Sequence, residues 1–283
     1  MRVVITGAKG QLGHDLVPAC RRVGEVVGLD LPEWNLSRPE SLEQLAALQP
    51  DWVIHAAAAT DVDRCEREPA WAMAINAEGT SRVAEACRRT GSGLVYLSTD
   101  YVFDGTKGTP YLEEDPPAPR SVYGRSKLEG ERIVRETAPH WVIARTAWLY
   151  GAHGKNFVKA ILQKACGGEP LAVVNDQVGS PTYAADLAEA LVRALERRLG
   201  GIFHVTNGGS CSWFEFTQEI LRQSGRAGVS LAPITSGQLA RPAPRPGYSV
   251  LANRAWQAAG EAPLRPWPEA LGDYLRAKGH VPA

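Results

Sequence analysis

Short apolar runs separated by amphipathic stretches recur along the first half of the chain. Each run is apolar at consecutive positions, which is typical of a strand that is buried on both faces. The runs predict five strands, at residues 2–6, 25–30, 51–57, 93–98 and 141–145. Because such strands alternate with helical stretches, the pattern predicts an α/β fold with a doubly wound parallel sheet covered by helices on both sides.

Apolar positions spaced three and four apart predict the helices between these strands. These helices lie at residues 11–22, 37–48, 70–89 and 121–136. Ser37 and Glu40 match the capping-box pattern, which marks the start of the second helix. Pro18 lies inside the first helix and weakens the pattern toward its C-terminal end.

The alternation of strand and helix loosens in the second half of the chain. The pattern predicts helices at residues 156–165, 184–198 and 267–278, and short strands at residues 171–174 and 202–206. Residues 232–247 contain Pro233, Pro242, Pro244 and Pro246, which predict a loop or lid rather than a linker. We expect a large domain over residues 1–150 and a smaller lobe over residues 151–283, with segments near residues 183–206 returning to the large domain.

The charge balance argues against two classes of partner. Lys plus Arg number 31 and Asp plus Glu number 31, so the formal net charge is zero. This balance argues against bulk electrostatic attraction to nucleic acid or to an acidic membrane surface, but not against a local basic pocket. No apolar run approaches the ~20 residues of a membrane span. A glycine turn follows the first strand where a signal peptide would still be apolar, so we expect a cytoplasmic protein.

The cysteines and histidines do not suggest a metal site. The five cysteines are scattered and form no CxxC pair, and the six histidines form no HxH or HExxH pair. We therefore expect small buried or half-buried thiols and no bound metal.

A glycine-rich turn joins the first predicted strand to the first predicted helix. It has the form GxxGxxG, with Gly7, Gly10 and Gly13 at the glycine positions. Gly7 allows a tight turn, Gly10 lets the backbone approach a pyrophosphate, and Gly13 permits close packing of helix on strand. The helix N-terminus offers free N–H groups to phosphate, so the motif predicts a dinucleotide site, with a turn that binds no ligand as the alternative.

Two further features fit a dinucleotide. Asp30 ends the second predicted strand, where a carboxylate can accept hydrogen bonds from the adenosine ribose. Asp30 would repel a 2′-phosphate and so favours NAD(H) over NADP(H). The positive charge of Lys9 in the loop could reduce this preference. Ala58, Ala59 and Thr60 follow the third strand, where small side chains leave room for a flat cofactor.

A tyrosine and a lysine four positions apart suggest acid–base chemistry. Tyr123 and Lys127 lie near the start of a predicted helix and share one face of it. A neighbouring ammonium group favours the phenolate and lowers the pKa of a tyrosine. Thr99, at the end of the fourth strand, could hydrogen-bond a substrate carbonyl. An ordinary helix surface is the alternative for the YxxxK spacing on its own.

Together, these motifs resemble those of the extended short-chain dehydrogenase/reductases. Within that group, the sequence bears a closer resemblance to the dTDP-4-dehydrorhamnose reductases. The resemblance covers nearly the whole chain. It is carried by the segments GAKGQLG, AAAATDVDRCE, STDYVFDG, YGRSKLEGE, RTAWLYG, NFV, NDQVGSPTYAADLA and RPGYSVL. It implies a Rossmann-like dinucleotide-binding domain over residues 1–150 and a mainly substrate-binding lobe over residues 151–283.

The resemblance also implies an activity. The protein would use NADH or NADPH to reduce the 4-keto group of dTDP-6-deoxy-L-lyxo-4-hexulose (dTDP-4-dehydro-L-rhamnose). The product would be dTDP-L-rhamnose, a precursor of cell-envelope polysaccharide.

Site residues follow from the matching motifs. Tyr123 would donate the proton with Lys127 as its partner, and Thr99 would complete the catalytic set. The residues expected to bind the cofactor are Gly7, Gly10, Gln11, Leu12, Gly13, Asp30, Asn35, Leu36, Ala58, Ala59, Thr60, Tyr123 and Lys127. The residues expected to bind the substrate are Thr99, Asp100, Trp148 and Arg245.

Some of these expectations have alternatives. Trp148 could pack in the core instead of lining a sugar site, and Arg245 could be a solvated surface arginine rather than a partner of the substrate diphosphate. Asn35 and Leu36 stand where many relatives have an aspartate followed by an apolar residue. Asp15 stands where some relatives carry a glutamate proposed to share a metal at a dimer interface. We do not carry that metal over, and a homodimer stays open.

Two other functions stay open as well. One is a different reaction on a nucleotide sugar by the same family, such as 4-epimerisation, in which the cofactor stays bound and returns the hydride. The other is a non-catalytic regulatory subunit resembling the methionine adenosyltransferase beta subunit. The presence of Thr99, Tyr123 and Lys127 argues against a non-catalytic role.

Overall fold

The computed structural model describes residues 1–280. These residues form the strands β1 (Arg2–Thr6), β2 (Glu25–Leu29), β3 (Trp52–His55), β4 (Gly93–Thr99), β5 (His140–Thr146), β6 (Leu149–Tyr150), β7 (Leu171–Val174), β8 (Val178–Gly179), β9 (Thr182–Tyr183), β10 (Gly201–His204), β11 (Cys211–Ser212) and β12 (Leu231–Ile234).

The same residues form the helices α1 (Gly13–Cys20), α2 (Glu40–Ala47), α3 (Val62–Arg67), α4 (Pro69–Met73), α5 (Thr80–Thr90), α6 (Val122–Thr137), α7 (Phe157–Cys166), α8 (Ala184–Glu196), α9 (Trp213–Gln223), α10 (Ser236–Leu239), α11 (Arg254–Ala258) and α12 (Trp267–Ala277). A π-helical turn (Ala74–Gly79) joins α4 to α5. No helix among residues 1–280 combines the length and the apolar character that crossing a bilayer requires.

Six of the strands form one parallel sheet in the order β10-β5-β4-β3-β1-β2. The chain moves outward from β1 to β2 on one side and from β3 through β4 to β5 on the other. The strand order therefore reverses between β1 and β3. In open parallel sheets, ligands bind at such a reversal, outside the carboxyl ends of the strands.

Helices cover both faces of this sheet. On one face α1 and α8 pack on the sheet through a buried cluster that includes Leu16 and Leu191. On the other face α2, α5 and α6 pack through a cluster that includes Leu45, Val83 and Val134. Successive residues of a strand point to opposite faces, so strands buried on both sides must be apolar throughout, as the sequence pattern required.

The rest of the second half forms a smaller lobe with a core of its own. Its buried cluster includes Val158 of α7, Phe216 and Ile220 of α9, and Leu271 of α12. Three two-stranded ladders, β6-β9, β7-β12 and β8-β11, belong to this part of the chain. The helix α8 and the strand β10 belong to the large sheet and its covering layer.

The predicted fold class is confirmed, and the predicted strands are all present with small shifts at their ends. The helices predicted at residues 121–136, 156–165, 184–198 and 267–278 correspond to α6, α7, α8 and α12. The first helix is shorter than predicted: α1 begins at Gly13 because Gly10 and Gln11 still belong to the turn, and it ends at Cys20, shortly after Pro18.

The capping box predicted at Ser37 and Glu40 is wrong. Helix α2 begins at Glu40 with Pro39 as its N-cap and without a side-chain cap. The N–H of Ser37 instead donates to Asn35 Oδ1 at 2.9 Å. Proline fixes a helical φ at a helix start without needing a capping side chain, so Pro39 takes over the role assigned to Ser37.

The helical stretch predicted over residues 70–89 is present, with an irregular turn inside it, whereas the prediction of a loop or lid over residues 232–247 needs correction. The first is divided into α4, the π-helical turn and α5. The second contains β12, which pairs in parallel with β7, and the short helix α10. Pro233 is tolerated in β12 because this strand has a partner on one side only in its two-stranded ladder.

Candidate active site

A cavity of about 950 Å³ lies at the carboxyl ends of the strands, at the reversal of strand order. Its walls come from the glycine loop, the ends of β2, β3 and β4, the start of α6 and the segment after β5. The smaller lobe contributes Trp213 of α9 and Lys155 to the lining of the cavity. The cavity therefore lies between the large sheet and the smaller lobe.

Most of the residues predicted from the sequence share this cavity. Its lining includes Gly7, Gly10, Gln11, Leu12, Asp30, Asn35, Leu36, Ala58, Ala59, Thr60, Thr99, Asp100, Tyr123, Lys127 and Trp148. Gly13 and Arg245 lie outside the set of described residues that line it.

The glycine loop leaves space where side chains would otherwise lie. Gly7 has φ +75°, and a Cβ on it would lie 2.7 Å from the backbone nitrogen of Ala57. Gln11 and Leu12 lead into α1, and the first N–H groups of a helix have no intrahelical partner. A dinucleotide pyrophosphate fits such a loop, because it can accept hydrogen bonds from these N–H groups.

Gly13 affects the shape of this loop without lining the cavity. A Cβ on Gly13 would lie 2.1 Å from the carbonyl oxygen of Gly7. Helix α1 can therefore approach the loop this closely only with glycine at the position. Gly13 shapes the turn, and its assignment as a cofactor-contacting residue stays a prediction.

Asp30 holds the loop as well as facing the cavity. Its carboxylate accepts hydrogen bonds from the backbone N–H of Lys9 at 2.7 Å and of Leu31 at 2.8 Å. The ammonium group of Lys9 donates to Glu33 Oε2 at 2.6 Å. Each carboxylate oxygen has two lone pairs, so Asp30 can still accept from a ribose hydroxyl while it holds the loop.

A buried asparagine fixes the floor of the cavity after β3. The side chain of Asn76 accepts from the N–H of Ala59 at 2.8 Å and donates to the carbonyl of Ala59 at 3.1 Å. It also donates to Ser126 Oγ at 2.9 Å, and Ser126 donates to the carbonyl of Tyr123 at 2.8 Å. The floor of the cofactor site and the first turn of α6 are thus connected through one side chain.

Tyr123 and Lys127 occupy the first two turns of α6, on the face that meets the cavity. The helix begins with Ser121, whose hydroxyl accepts from the N–H of Gly124 at 3.1 Å. A Cβ on Gly124 would lie 2.2 Å from the carbonyl oxygen of Tyr101, so glycine allows this turn to approach the end of β4. Tyr101 and Tyr123 meet edge to face with ring centroids 5.5 Å apart.

Burial changes the protonation of both groups. It raises the pKa of Tyr123 above its ordinary range, and a hydrogen bond with Thr99 partly offsets this rise. Burial lowers the pKa of Lys127 to about 7, although the charge of Glu131 acts in the opposite direction. The ammonium nitrogen of Lys127 lies 4.1 Å from the ring centroid of Tyr96, which supplies a cation–π contact to the charged form.

Trp148 lines the cavity in a conformation that few tryptophans adopt. Its φ is +48°, in the left-handed region. Its indole is stacked on that of Trp213, with ring centroids 3.5 Å apart and planes inclined by 6°. A Cβ on Gly179 would lie 2.4 Å from the Trp148 ring, so glycine is required there. Core packing alone does not describe Trp148, because it remains part of the cavity wall.

Arg245 binds a carboxylate of this chain. Its guanidinium donates to Asp63 Oδ1 at 2.6 Å and to the carbonyl of Ala243 at 2.7 Å. This pairing holds the pKa of Asp63 at about 2. The alternative of a solvated arginine is wrong, since the Arg245 side chain is 14% exposed. A diphosphate would have to compete with Asp63, so the contact with substrate stays a prediction.

Asn76, Trp213 and Ser249 also help to build the site, although the sequence did not predict a role there for them. Ser249 donates to Asp100 from a segment far along the chain. A signal existed for Trp213: Ser212 and Glu215 form a capping box that marks the start of α9. No local pattern marks Asn76 or Ser249, because their partners are distant in sequence.

Almost the whole chain is similar to proteins that are already known. Residues 1–279 match the family model described as RmlD substrate binding domain. The dTDP-4-dehydrorhamnose reductase of Mycobacterium tuberculosis is 43% identical over 283 residues, which cover 98% of this chain and 93% of that protein.

Two solved structures are similar over almost their whole length. The dTDP-4-dehydrorhamnose reductase of Clostridium acetobutylicum has a TM-score of 0.95 and 38% identity, covering 99% of this chain and 100% of that one. The dTDP-4-dehydrorhamnose reductase of Bacillus anthracis, solved in complex with NADP, has a TM-score of 0.93 and 38% identity, covering 98% of this chain and 99% of that one. The chain therefore belongs to the RmlD substrate binding domain family, together with the dTDP-4-dehydrorhamnose reductases that it resembles.

Proposed function

We propose that this protein reduces the 4-keto group of dTDP-4-dehydro-L-rhamnose to give dTDP-L-rhamnose, with NADH or NADPH as the reductant. One observation carries the proposal: Thr99, Tyr123 and Lys127 face the same cavity as the glycine loop and Asp30. The acid–base groups and the dinucleotide groups thus meet in one space. The relatives named above support the choice of sugar nucleotide, and the Bacillus anthracis structure supports NADP as one cofactor.

The cofactor residues fit a reduced dinucleotide. The glycine loop and the start of α1 would hold its pyrophosphate, Asp30 its adenosine ribose, and Asn35 and Leu36 its adenine. Ala58, Ala59 and Thr60 would lie under the nicotinamide half, on the floor that Asn76 fixes. When bound, the reduced nicotinamide supplies the hydride for the keto carbon.

The chain's own groups would supply the proton. Tyr123 remains protonated because burial raises the pKa of its phenol, so it can donate to the keto oxygen as negative charge develops there. Lys127 lies one turn further along α6 and would stabilise the phenolate that remains. Thr99 would hold the keto oxygen in line with Tyr123, and Trp148 would form a wall of the sugar site.

A direct assay tests the proposal. The purified protein is mixed with enzymatically made dTDP-4-keto-6-deoxy sugar and with NADH or NADPH, and the loss of reduced-nicotinamide absorbance is followed while the product is identified by NMR. We expect stoichiometric oxidation of the cofactor and formation of dTDP-L-rhamnose. Absence of turnover with a substrate preparation that another reductase consumes would contradict the proposal.

The same assay separates the alternatives. A 4-epimerase keeps its cofactor bound and returns the hydride, so it would copurify with NAD that does not exchange and would interconvert sugars without net oxidation. A non-catalytic regulatory subunit would bind the dinucleotide and show no turnover at all. The meeting of Thr99, Tyr123 and Lys127 at the cavity favours an enzyme.

Three further expectations belong to the proposal. The division into a dinucleotide-binding domain over residues 1–150 and a mainly substrate-binding lobe over residues 151–283 predicts that lobe variants alter sugar binding more than cofactor binding. A cytoplasmic location is testable by cell fractionation. A homodimer is testable by light scattering, with and without the cofactor.

A further inference from the structure

Asp100 is a buried carboxyl group in the cavity wall whose two oxygens both accept hydrogen bonds from hydroxyl groups. Oδ1 accepts from Thr99 Oγ1 at 3.0 Å, and Oδ2 accepts from Ser249 Oγ at 2.6 Å. The residue is 2% exposed. An ionised carboxylate has no proton to give, so in that state each hydroxyl must be the donor.

The hydrogen-bonding capacity of Thr99 sets a limit on what it can do. A threonine hydroxyl has one proton and two lone pairs. The backbone N–H of Tyr101 donates to one lone pair at 3.2 Å. When Asp100 is ionised, the single proton of Thr99 is directed to Asp100 Oδ1. A ketone oxygen accepts but cannot donate, so Thr99 has no donor left for it in this state.

We propose that Asp100 is a positioning residue whose protonation state decides whether Thr99 donates a hydrogen bond to the keto oxygen of the substrate. When Asp100 is neutral, its own O–H donates to the second lone pair of Thr99, and the Thr99 proton turns to the ketone. When Asp100 is ionised, Thr99 donates to Asp100 and can only accept, which suits the hydroxyl of the product.

Ser249 determines which oxygen of Asp100 carries the proton. Its hydroxyl donates to Oδ2, so the acidic proton of neutral Asp100 belongs on Oδ1, the oxygen that faces Thr99. Ser249 is itself fixed, because its N–H donates to the carbonyl of Val178 at 2.8 Å. The segment that follows the proline-rich loop therefore has a direct contact with the acid–base centre.

The surroundings of Asp100 place its titration within the range in which the enzyme can be assayed. Burial raises the pKa of Asp100 to about 6, and the hydrogen bonds from Ser249 and Thr99 partly offset this rise. The titratable groups that face it are the phenols of Tyr101 and Tyr123, and burial raises the pKa of both, so they stay neutral. The charge of Arg245 acts on Tyr101, and Arg245 is itself paired with Asp63.

The inference rests on the proposed reduction of a keto group, and it makes that reduction sensitive to pH in a specific way. Reduction needs neutral Asp100, so kcat/KM for the ketone should fall by up to about tenfold for each pH unit above the pKa of Asp100. Oxidation of the alcohol needs the ionised form, so its kcat/KM should rise over the same range. A second decline at higher pH belongs to Lys127, whose pKa is about 7.

The test is the pH profile of Asp100→Asn. Asparagine resembles the neutral acid, since its amide can donate to Thr99 while its oxygen accepts from Ser249. We expect this variant to lose the decline centred near pH 6 in the reduction profile and to keep the decline that belongs to Lys127. Ser249→Ala removes a hydrogen bond that favours the carboxylate, so we expect it to move the first decline upward by about one pH unit.

Asp104→Asn is a matched control. It is the same substitution four residues further along, at a carboxylate that binds Tyr111 and Thr106 outside the cavity lining, and it should leave the profile unchanged. An Asp100→Asn profile that keeps its decline near pH 6 would overturn the inference, as would a Ser249→Ala profile with the decline unmoved. Wild-type protein that does not reduce the sugar would contradict the proposed function instead.

Discussion

Glu131 and Arg145 form a two-pronged ion pair beneath the candidate active site. The carboxylate oxygens lie 2.8 Å from Arg145 Nε and 2.7 Å from Nη2, and the two side chains are 1% and 2% exposed. Ser98 donates to the same carboxylate at 2.6 Å. Glu131 lies on α6 one turn after Lys127, so this pair ties the helix that carries Tyr123 and Lys127 to β4 and β5.

Glu131→Gln should destabilise the protein strongly. The substitution leaves the guanidinium of Arg145 buried without a negative partner, and breaking a buried pair in this way costs about 3–5 kcal/mol. It should also lower the pKa of Lys127 further, because the charge of Glu131 raises it. Urea unfolding measures the first effect, and the descending limb of kcat against pH measures the second.

Glu129→Gln is the matched control for this prediction. Glu129 is on the same helix and pairs with Arg132, but these two side chains are 34% and 49% exposed. Exposed pairs contribute about 0–1 kcal/mol. Equal losses of stability in the two variants would mean that the buried pair has no special role in holding α6.

Tyr123→Phe should lose most turnover while it still binds the cofactor. Only the phenolic hydroxyl is removed, and the edge-to-face contact of the ring with Tyr101 can remain. General acid catalysis contributes about 10²–10⁴-fold, so kcat should fall by this order. Steady-state kinetics and cofactor titration check the prediction. A variant with kcat near that of the wild type would remove Tyr123 from its assigned role.

Asp30→Ala should weaken the binding of NADH more than that of NADPH. The carboxylate can accept from a free ribose 2′-hydroxyl but repels a 2′-phosphate. Both affinities should fall somewhat, because Asp30 also accepts from the N–H of Lys9 and Leu31 and so holds the loop. Fluorescence titration gives the four values of Kd, and a greater loss for NADPH would contradict the assignment.

Asp51→Ala controls for the loss of a carboxylate at a strand end. Asp51 accepts from the N–H of Arg2 at 2.6 Å, just before the amino end of β3 and away from the cavity lining. The values of Kd for both cofactors should be unchanged in this variant. A comparable change there would show that the effect of Asp30→Ala comes from general loosening of the sheet.

Asp100→Asn should gain stability relative to the wild type as pH rises from 4 to 7. The folded protein raises the pKa of Asp100 from 3.8 to about 6, so its contribution is complete below the unfolded pKa and is lost as pH rises through the folded one. The two values differ by about two pKa units, which corresponds to roughly 3 kcal/mol. Other carboxyl groups titrate in both proteins and cancel in the difference.

Urea unfolding at several pH values tests this without any assay of activity. The quantity to compare is the free energy of unfolding of the variant minus that of the wild type. A difference that does not change with pH would mean that the pKa of Asp100 is ordinary in the folded protein. The pH profile proposed for Thr99 and Asp100 would then lose its physical basis.

The features that the sequence predicted well are those set by short spacings and by general rules of sheet topology. Tyr123 and Lys127 are four positions apart, so a helix alone brings them to one face. The glycine loop, Asp30 and Thr99 all follow strands, and the carboxyl ends of parallel strands meet at one edge of a sheet. These facts suffice to place most of the site in one cavity.

The features that could not be predicted from the sequence depend on contacts between positions that are distant along the chain. Asn76 meets Ser126 across 50 positions, and Ser249 meets Asp100 across 149. Arg245 has its partner Asp63 at a separation of 182 positions, so its pairing has no local signature. The Ser37 capping box failed for a different reason: Pro39 can begin a helix without the help of a side chain.

Trp148 provides a test of the sugar site in which backbone and ring can be separated. Its φ of +48° is costly for any residue with a Cβ, so an alanine at this position keeps the strain and loses the ring. Trp148→Gly loses the ring and relieves the strain. If the indole is a wall of the sugar site, both variants should raise KM for the keto sugar while Kd for NADH stays unchanged.

The stability of the two variants separates the site from packing. If Trp148 served mainly as packing for Trp213, both variants should lose about 3–5 kcal/mol, as buried tryptophans do when truncated, with kinetics unchanged in the folded fraction. We expect instead a smaller loss for Trp148→Ala, because the residue is only partly buried, and a still smaller one for Trp148→Gly. Trp213→Ala completes the series: it removes the stacking partner at 3.5 Å and should raise KM by letting Trp148 move. Thermal melting, cofactor titration and steady-state kinetics on these three variants would show whether the stacked indoles bind the sugar.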